Sequence, residues 1–309
     1  MKALVTGAAG FVGRHLVAHL EASGDVVVGV DRPRAGRGGP DLLDDEGMAR
    51  LLADVAPDVV YHLGGWSDVG ASWGEPRRAF AVNAEGTLNL LQACRSTRPR
   101  VLLVSSADVY GKVATAELPI TEDTPLRPIT PYAASKVAAD YLGLQAWLGY
   151  GLEVVRARAF NHLGPGQSNR FVAPALAERI AIAERDGRDE IPVGNLTARR
   201  DFTDVRDVVR AYRLLVEHGA PGEAYNVCRG SDIAVSELAE RLVALAHRPM
   251  RLVSDPGLQR PVDTPVLRGD ATRLRDATGW EPCIPLDDTL ADILDEYRAR
   301  VRGDGQPSR

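Results

Sequence analysis

The sequence is short of cysteine, with three in 309 residues, at positions 94, 228 and 283. Odd in number and far apart, they speak against a disulfide framework and against a zinc site, and fit idle thiols in a reducing cytoplasm. The chain also lacks any apolar run of membrane-spanning length, so no membrane partner is expected. It lacks a strong charge excess, and a net charge of −5 argues against broad attraction to nucleic acid or an anionic surface. No signal peptide is expected, because the opening residues already read as a strand. What is there, 45% apolar and 26% charged residues, suits a soluble globular protein with a real core.

The most informative pattern opens the chain. Apolar Ala3-Leu4-Val5 runs into Thr6-Gly7-Ala8-Ala9-Gly10-Phe11-Val12-Gly13, which reads as strand, glycine-rich turn and helix start. Gly7 suits the tight turn, Gly10 a close approach of backbone to a pyrophosphate, and Gly13 close packing of helix on sheet. Free N–H groups and the dipole at the helix N-terminus favour phosphate. A second apolar strand, 26–30, ends in Asp31, whose carboxylate can accept hydrogen bonds from an adenosine ribose. A dinucleotide site follows, with NAD favoured by Asp31. Arg32 and Arg34 come next and would suit the 2′-phosphate of NADP.

Short apolar strands (2–6, 26–30, 59–63, 101–105, 153–158) alternate with helical patterns (10–22, 48–55, 76–96, 131–148) through the first half. That alternation predicts an α/β fold with a doubly wound parallel sheet of the Rossmann kind. Beyond residue 165 the order is less regular. Helices fit 172–185, 205–217, 235–246, 271–278 and 286–300, strands fit 191–193 and 223–227, and 199–203 reads as a turn. The expected organisation is a dinucleotide domain over 1–165, to which 202–228 returns. A smaller α+β substrate-binding part covers 166–201 and 229–302, and 303–309 is a polar tail.

Tyr132-Ala133-Ala134-Ser135-Lys136 places a phenol and an ammonium four residues apart on one helix face. The ammonium would favour the phenolate and lower the tyrosine pKa, making Tyr132 an acid/base for a sugar hydroxyl or ketone. Lys136 would also reach the nicotinamide ribose. Chance produces this spacing on many helices, but here Ser105-Ser106-Ala107-Asp108 ends an apolar strand. Strand C-termini are where open α/β sheets bind ligands. Ser106 can hydrogen-bond the oxygen that Tyr132 protonates, and Asp108 is either a second acid/base or a turn former.

Together, Thr6-Gly7-x-x-Gly10-x-x-Gly13, Asp31, Ser106-x-x-Val109-Tyr110-Gly111 and Tyr132-x-x-x-Lys136 resemble the extended short-chain dehydrogenase/reductases. That family holds nucleotide-sugar epimerases, dehydratases and reductases. The resemblance spans essentially the whole chain and implies further roles. Phe11, Val12 and Ser105 join the cofactor contacts, and Asp41-Leu42 looks like the adenine contact after a third strand. Leu63-Gly64-Gly65 resembles a cofactor-lining Leu-Ala-Ala with both alanines replaced. Asn83-x-x-Gly86-Thr87-x-Asn89-Leu90 is similar to the helix whose Asn orders the active-site backbone.

On the substrate side the resemblance implies a sugar-diphosphate contact at Asn161, a contact at Val172, and nucleotide-binding arginines at Arg200 and Arg260. Segments 160–167, 193–207 and 225–230 are most similar to reductases of GDP-4-keto-6-deoxymannose, which make GDP-rhamnose. Redox-neutral 4-epimerases, 4,6-dehydratases and uronic acid decarboxylases share the same constellation, and a non-catalytic dinucleotide sensor is the reading from another class. Asp108 and Ser106 stand where dehydratases carry Glu and usually Thr, which counts against dehydration. The resemblance also implies a homodimer packed through helices 76–96 and 131–148. His15 and His19, four apart, lack a third ligand nearby, so no metal is expected. His162 either lines the pocket or is structural. Trp66 and Trp73 either cover cofactor and sugar or pack locally.

Overall fold

The computed structural model describes residues 1–32, 39–258 and 264–303. In chain order the elements are β1 (Lys2–Thr6), α1 (Phe11–Ala22), β2 (Val26–Val30), α2 (Asp45–Val55), β3 (Val59–His62), α3 (Val69–Ser72), α4 (Pro76–Phe80), a π-helical segment (Ala81–Glu85) and α5 (Gly86–Thr97). They continue with β4 (Arg100–Ser106), α6 (Pro131–Tyr150), β5 (Val154–Ala159), β6 (Asn161–Leu163), α7 (Val172–Asp186), β7 (Glu190–Val193), β8 (Arg199–Asp204) and α8 (Val205–His218). The chain closes with β9 (Ala224–Val227), β10 (Asp232–Ala234), α9 (Val235–Ala244), β11 (Arg251–Ser254), β12 (Val266–Leu267), α10 (Thr272–Thr278) and α11 (Leu286–Gly303).

The main sheet is parallel throughout, in the order β2-β1-β3-β4-β5-β9. From β1 the chain winds first to β2 on one side and then back to β3 on the other, so the topological switch lies between β1 and β3. In open α/β sheets the ligand crevice sits at the C-terminal ends of such strands. Helices cover both faces. On one, Leu16 and Leu20 of α1 and Val208, Tyr212 and Leu215 of α8 share a core with the sheet residues Ala3, Tyr61 and Ala157. On the other, Met48 and Leu52 of α2, Leu90 and Leu91 of α5 and Ala146 of α6 pack on Leu4, Val60 and Leu103. A third core unites α7, α9 and α11 around Ile180, Leu238 and Ile293.

The elements expected from sequence in the first half lie within a few residues of those observed, with one exception there and a second further along the chain. The helix expected over 76–96 is interrupted by the π-helical turn Ala81–Glu85, which widens around the buried Asn83. Single π turns of this kind cluster at functional sites. The turn expected at 199–203 is instead strand β8, paired with β10 on one side and with β12 and β6 on the other. Its two arginines suggested a surface turn, but the pairing partners come from distant parts of the chain. Among the described residues no strand lies between β2 and Asp41, where the resemblance implied one.

Candidate active site

The glycine-rich turn closes between the ends of β1 and β3. Gly7 has φ +72, and a Cβ on it would lie 2.9 Å from the Gly64 nitrogen. A Cβ on Gly13 would lie 2.1 Å from the Gly7 carbonyl oxygen and 2.8 Å from Ala8 backbone. Gly13 is therefore required by the turn folding back on its own helix, not by helix-on-sheet packing as its spacing suggested. Gly10 caps α1 with no side-chain hydrogen bond, and its N–H donates to the Gly7 oxygen at 3.0 Å. Bare backbone at the N-terminus of α1, where Phe11, Val12 and Gly13 begin the helix, fits a pyrophosphate. Asp31 faces this turn: its Oδ2 accepts from Ala9 N at 3.0 Å and its Oδ1 from Arg32 N at 2.8 Å. Asp41 turns the chain locally by accepting from Leu43 N at 3.0 Å, and Leu42 lies against Gly64 and Gly86. Leu63 N donates to the Thr6 carbonyl at 3.3 Å, so 63–65 line the same crevice. Arg34 and Arg260 lie outside the described residues.

The acid/base candidates converge one strand further on. Helix α6 starts where it does because Thr130 accepts from Ala133 N at 3.0 Å and Pro131 occupies the first helical position. That start puts Tyr132 in the first turn and Lys136 one turn later, beside the end of β4. Ser106 caps the 3₁₀ turn Ala107–Tyr110, accepting from Asp108 N at 3.2 Å, while its hydroxyl donates to Asp108 Oδ2 at 2.9 Å. Asp108 is thus turn former and neighbour of the catalytic candidates at once. Ser105 Oγ is buried with no partner in the protein, at the same strand end.

The electrostatics of the pair differ from what its spacing suggested. Burial raises the Tyr132 pKa and the nearby Asp108 carboxylate raises it further, with a hydrogen bond to Ser106 pulling the other way. The net direction is up, so the phenol holds its proton. The Lys136 ammonium donates to the Val104 carbonyl at 3.0 Å instead of serving chiefly to acidify Tyr132. Burial lowers its own pKa to about 8, against a partial lift from Asp140.

Asn83 and three groups that sequence reasoning passed over hold this arrangement. Asn83 Oδ1 accepts from Trp66 N at 2.7 Å, and its Nδ2 donates to Trp66 O at 3.1 Å and to Ser135 Oγ at 2.8 Å. Ser135 in turn donates to the Tyr132 carbonyl at 2.7 Å, and Ser72 Oγ accepts from Tyr132 N at 3.2 Å. Asn83 was expected to order backbone here; Ser135 and Ser72 were not singled out, although Ser135 lies inside the Tyr/Lys motif. Below them Asp140, fully buried, takes Arg156 Nη1 at 2.6 Å and Arg158 Nε at 3.0 Å. Burial pushes the Asp140 carboxyl up, and the two guanidiniums more than reverse this, holding it below the usual carboxylate range.

On the far side of the crevice, Asn161 is exposed on β6, directly opposite Phe202 of β8, and Arg200 lies two residues away on that strand. Arg200 Nη1 donates to the Arg199 carbonyl at 2.8 Å. Val172 opens α7, and Arg170 just before it reaches Asp68 at 3.2 Å across the crevice. His162 stacks on Phe11, with centroids 6.1 Å apart and planes within 16°, which ties β6 to the glycine-rich helix. Trp66 donates to the Asp68 carbonyl at 2.7 Å, packing its own loop, whereas Trp73 is exposed. His15 approaches the Pro165 oxygen at 2.8 Å.

Comparison with known proteins shows the family. The model of the NAD dependent epimerase/dehydratase family matches residues 3–228. The chain is 40% identical to GDP-6-deoxy-D-mannose reductase of Pseudomonas aeruginosa, over 96% of this chain and 97% of that one. It is 32% identical to UDP-glucose 4-epimerase of Mycolicibacterium smegmatis, over 96% and 99%. Among solved structures it superposes on RMD from Pseudomonas aeruginosa complexed with NADPH with a TM-score of 0.87 and 39% identity, covering 97% of this chain and all of that one.

Proposed function

The chain belongs to the NAD-dependent epimerase/dehydratase family, and from that premise we propose that it reduces the 4-keto group of GDP-4-keto-6-deoxymannose to a hydroxyl. The observation that carries this reading is the buried Tyr132, hydrogen-bonded to Ser106 with Asp108 alongside, in a chain 40% identical over 96% of its length to a GDP-6-deoxy-D-mannose reductase. A reductase must start with its proton donor loaded, and Asp108 helps keep it so.

The family is NAD(P)-dependent. Reduced nicotinamide, when bound, supplies the hydride. Gly7, Gly10, Phe11, Val12 and Gly13 would hold its pyrophosphate, and Asp31 with Arg32 its adenosine ribose. A carboxylate suits a free 2′-hydroxyl and a guanidinium suits a 2′-phosphate, so binding of NADH and NADPH is compared directly. Tyr132 delivers its proton to the C4 oxygen as negative charge grows there. Ser106 turns its hydroxyl from Asp108 to the same oxygen, and Lys136 keeps a positive charge beneath the ribose. Asn161, Val172 and Arg200 would contact the sugar diphosphate and nucleotide, and the resemblance gives Arg260 the same role.

Residues 1–165, with 202–228, would carry the dinucleotide, and 166–201 with 229–302 the sugar nucleotide. A homodimer is supported by Phe80 and Leu88 on the α4–α5 face and Tyr141 and Leu148 on α6, large apolar side chains left exposed. Two buried cysteines and no disulfide among the described residues support a cytoplasmic setting. Among the described residues no helix is long and apolar enough to cross a membrane.

Asp108 discriminates between reduction and dehydration. In a dehydratase a carboxylate here removes the C5 proton; in this reading it only steadies Ser106 and Tyr132. Asp108→Asn is therefore expected to keep more than about a tenth of the parental kcat/KM for the keto sugar, a loss under about 1.4 kcal/mol. Near-complete loss with intact substrate binding assigns it a base role instead.

Lys136 sets the alkaline limit. With its pKa lowered to about 8, it loses its charge as pH rises through that value, while Tyr132 stays protonated well beyond it. The expected result is a fall in kcat/KM above pH 8 that Lys136→Arg removes, because a guanidinium keeps its charge. A profile flat to pH 10 in the parent contradicts a working role for the ammonium.

A further inference from the structure

A row of buried polar groups runs from the end of β1 to the first turn of α6, and the mechanism above does not use it. Gly64 N donates to Thr6 Oγ1 at 3.0 Å, and Thr6 Oγ1 lies 2.8 Å from His62 Nδ1. His62 Nε2 lies 3.0 Å from Thr87 Oγ1, which donates to the Asn83 carbonyl at 2.6 Å. From Asn83 the bonds already described lead through Ser135 to the Tyr132 carbonyl, and sideways to both backbone groups of Trp66. Thr6, His62, Asn83, Thr87 and Ser135 are each at most 2% exposed, so water does not compete for these bonds.

Proton counting fixes their direction. The Asn83 carbonyl only accepts, so the single Thr87 hydroxyl proton is committed to it. Thr87 Oγ1 can then only accept from the imidazole, which places the His62 proton on Nε2. Nδ1 is left as an acceptor and takes the Thr6 hydroxyl proton, and Thr6 Oγ1 receives the Gly64 N–H. Every donor finds one acceptor, with the ring neutral. Burial pushes the His62 pKa down to about 3, and the Lys136 charge adds to this, so the ring stays neutral across the working range.

We propose that His62, as the neutral Nε2–H tautomer, is a positioning residue that locks the cofactor-lining segment 64–66 to the first turn of the catalytic helix. Thr87 and Asn83 are the links through which it acts. The imidazole itself is buried, 2% exposed. Its effect is to hold two walls of the crevice in one register, so that Tyr132 and the nicotinamide face are set by the same hydrogen-bond row. A displacement of about 1 Å between such groups is enough to cost about a hundredfold in rate.

The claim about turnover rests on the reductase reading, whereas the tautomer and the coupling of the two walls do not. The first test is ¹⁵N-histidine NMR of the unaltered protein, where His62 is expected as the Nε2–H form from pH 6 to 9. The Nδ1–H form, or an imidazolium, overturns the proposal. The second is Thr87→Val, which keeps the shape and removes the hydroxyl, beside Thr87→Ser, which keeps it. In Thr87→Val, amide exchange is expected to rise together in 64–68 and 130–136, with kcat lowered about ten- to hundredfold and the sugar KM within about twofold. Thr87→Ser is expected to restore both. Unchanged exchange in a folded Thr87→Val overturns the coupling; should that variant not fold, the tautomer in the parent decides. Absence of turnover in the parent itself sinks the reductase reading and leaves the tautomer and exchange results standing.

Discussion

Tyr132→Phe is expected to lower kcat for keto-sugar reduction by about a hundred- to ten-thousandfold, the usual worth of a positioned general acid. Binding of NADH or NADPH, followed by nicotinamide fluorescence, is expected to stay within a few-fold of the parent. The split follows from the geometry. The phenol is buried and hydrogen-bonded to Ser106, with its pKa pushed up by burial, and its backbone is held separately by Ser72 and Ser135. Removing one oxygen removes the proton donor and leaves the turn of helix that carries it. Parental turnover in Tyr132→Phe with a confirmed substrate sinks the assignment.

Asp140→Asn is the substitution expected to cost most in stability, about 3–5 kcal/mol, as for other buried ion pairs that lose one charge. Asp140 alone neutralises part of two buried guanidiniums, and Arg158 also donates to Tyr110 Oη and the Glu122 carbonyl, tying α6 and β5 to the chain after β4. The sign of the pH dependence follows. With the Asp140 carboxyl depressed in the folded state, its contribution is fully present above the ordinary aspartate range and is lost as pH falls below it. Urea unfolding at neutral pH measures the loss. An exposed pair such as Arg50 and Glu46 serves as the control, since Glu46→Gln is expected to cost less than about 1 kcal/mol. Equal midpoints for Asp140→Asn and the parent contradict this account of the network.

The parts of the site legible in the sequence are those whose geometry is local. Gly7 to Gly13 span one turn, and the Tyr132 and Lys136 pair spans one helical turn, so spacing together with the apolar strands beside them marked them. Strand β1 and the start of α6 were legible for the same reason: apolar runs and a Thr-Pro start are written in neighbouring residues. What escaped depends on partners far away in the chain. β8 was misjudged as a turn because its pairing with β6, β10 and β12 is invisible in Arg199-Arg200, and β6, β10 and β12 are too short to show a period. The interruption at Ala81–Glu85 has no local signal except an Asn in a helix, and that Asn bonds Trp66, seventeen residues earlier.

The direction of the Tyr132 shift was misread for a related reason. Spacing relates Tyr132 to Lys136, but the phenol answers first to its burial and then to Asp108, and the ammonium is drawn to the Val104 carbonyl of a neighbouring strand. His62 drew no reading of its own within the strand expected at 59–63, and only the fold brings Thr6 to one of its nitrogens and Thr87 to the other.

The most direct test mixes the protein with GDP-4-keto-6-deoxymannose and NADH or NADPH, follows nicotinamide absorbance, and weighs the product. Expected is one cofactor oxidised per sugar consumed and a product heavier by two hydrogens. Bound cofactor and bound keto sugar with no oxidation contradict the reductase reading, and loss of water from GDP-mannose or inversion at C4 of a UDP-sugar would then name the redox-neutral reaction that replaces it.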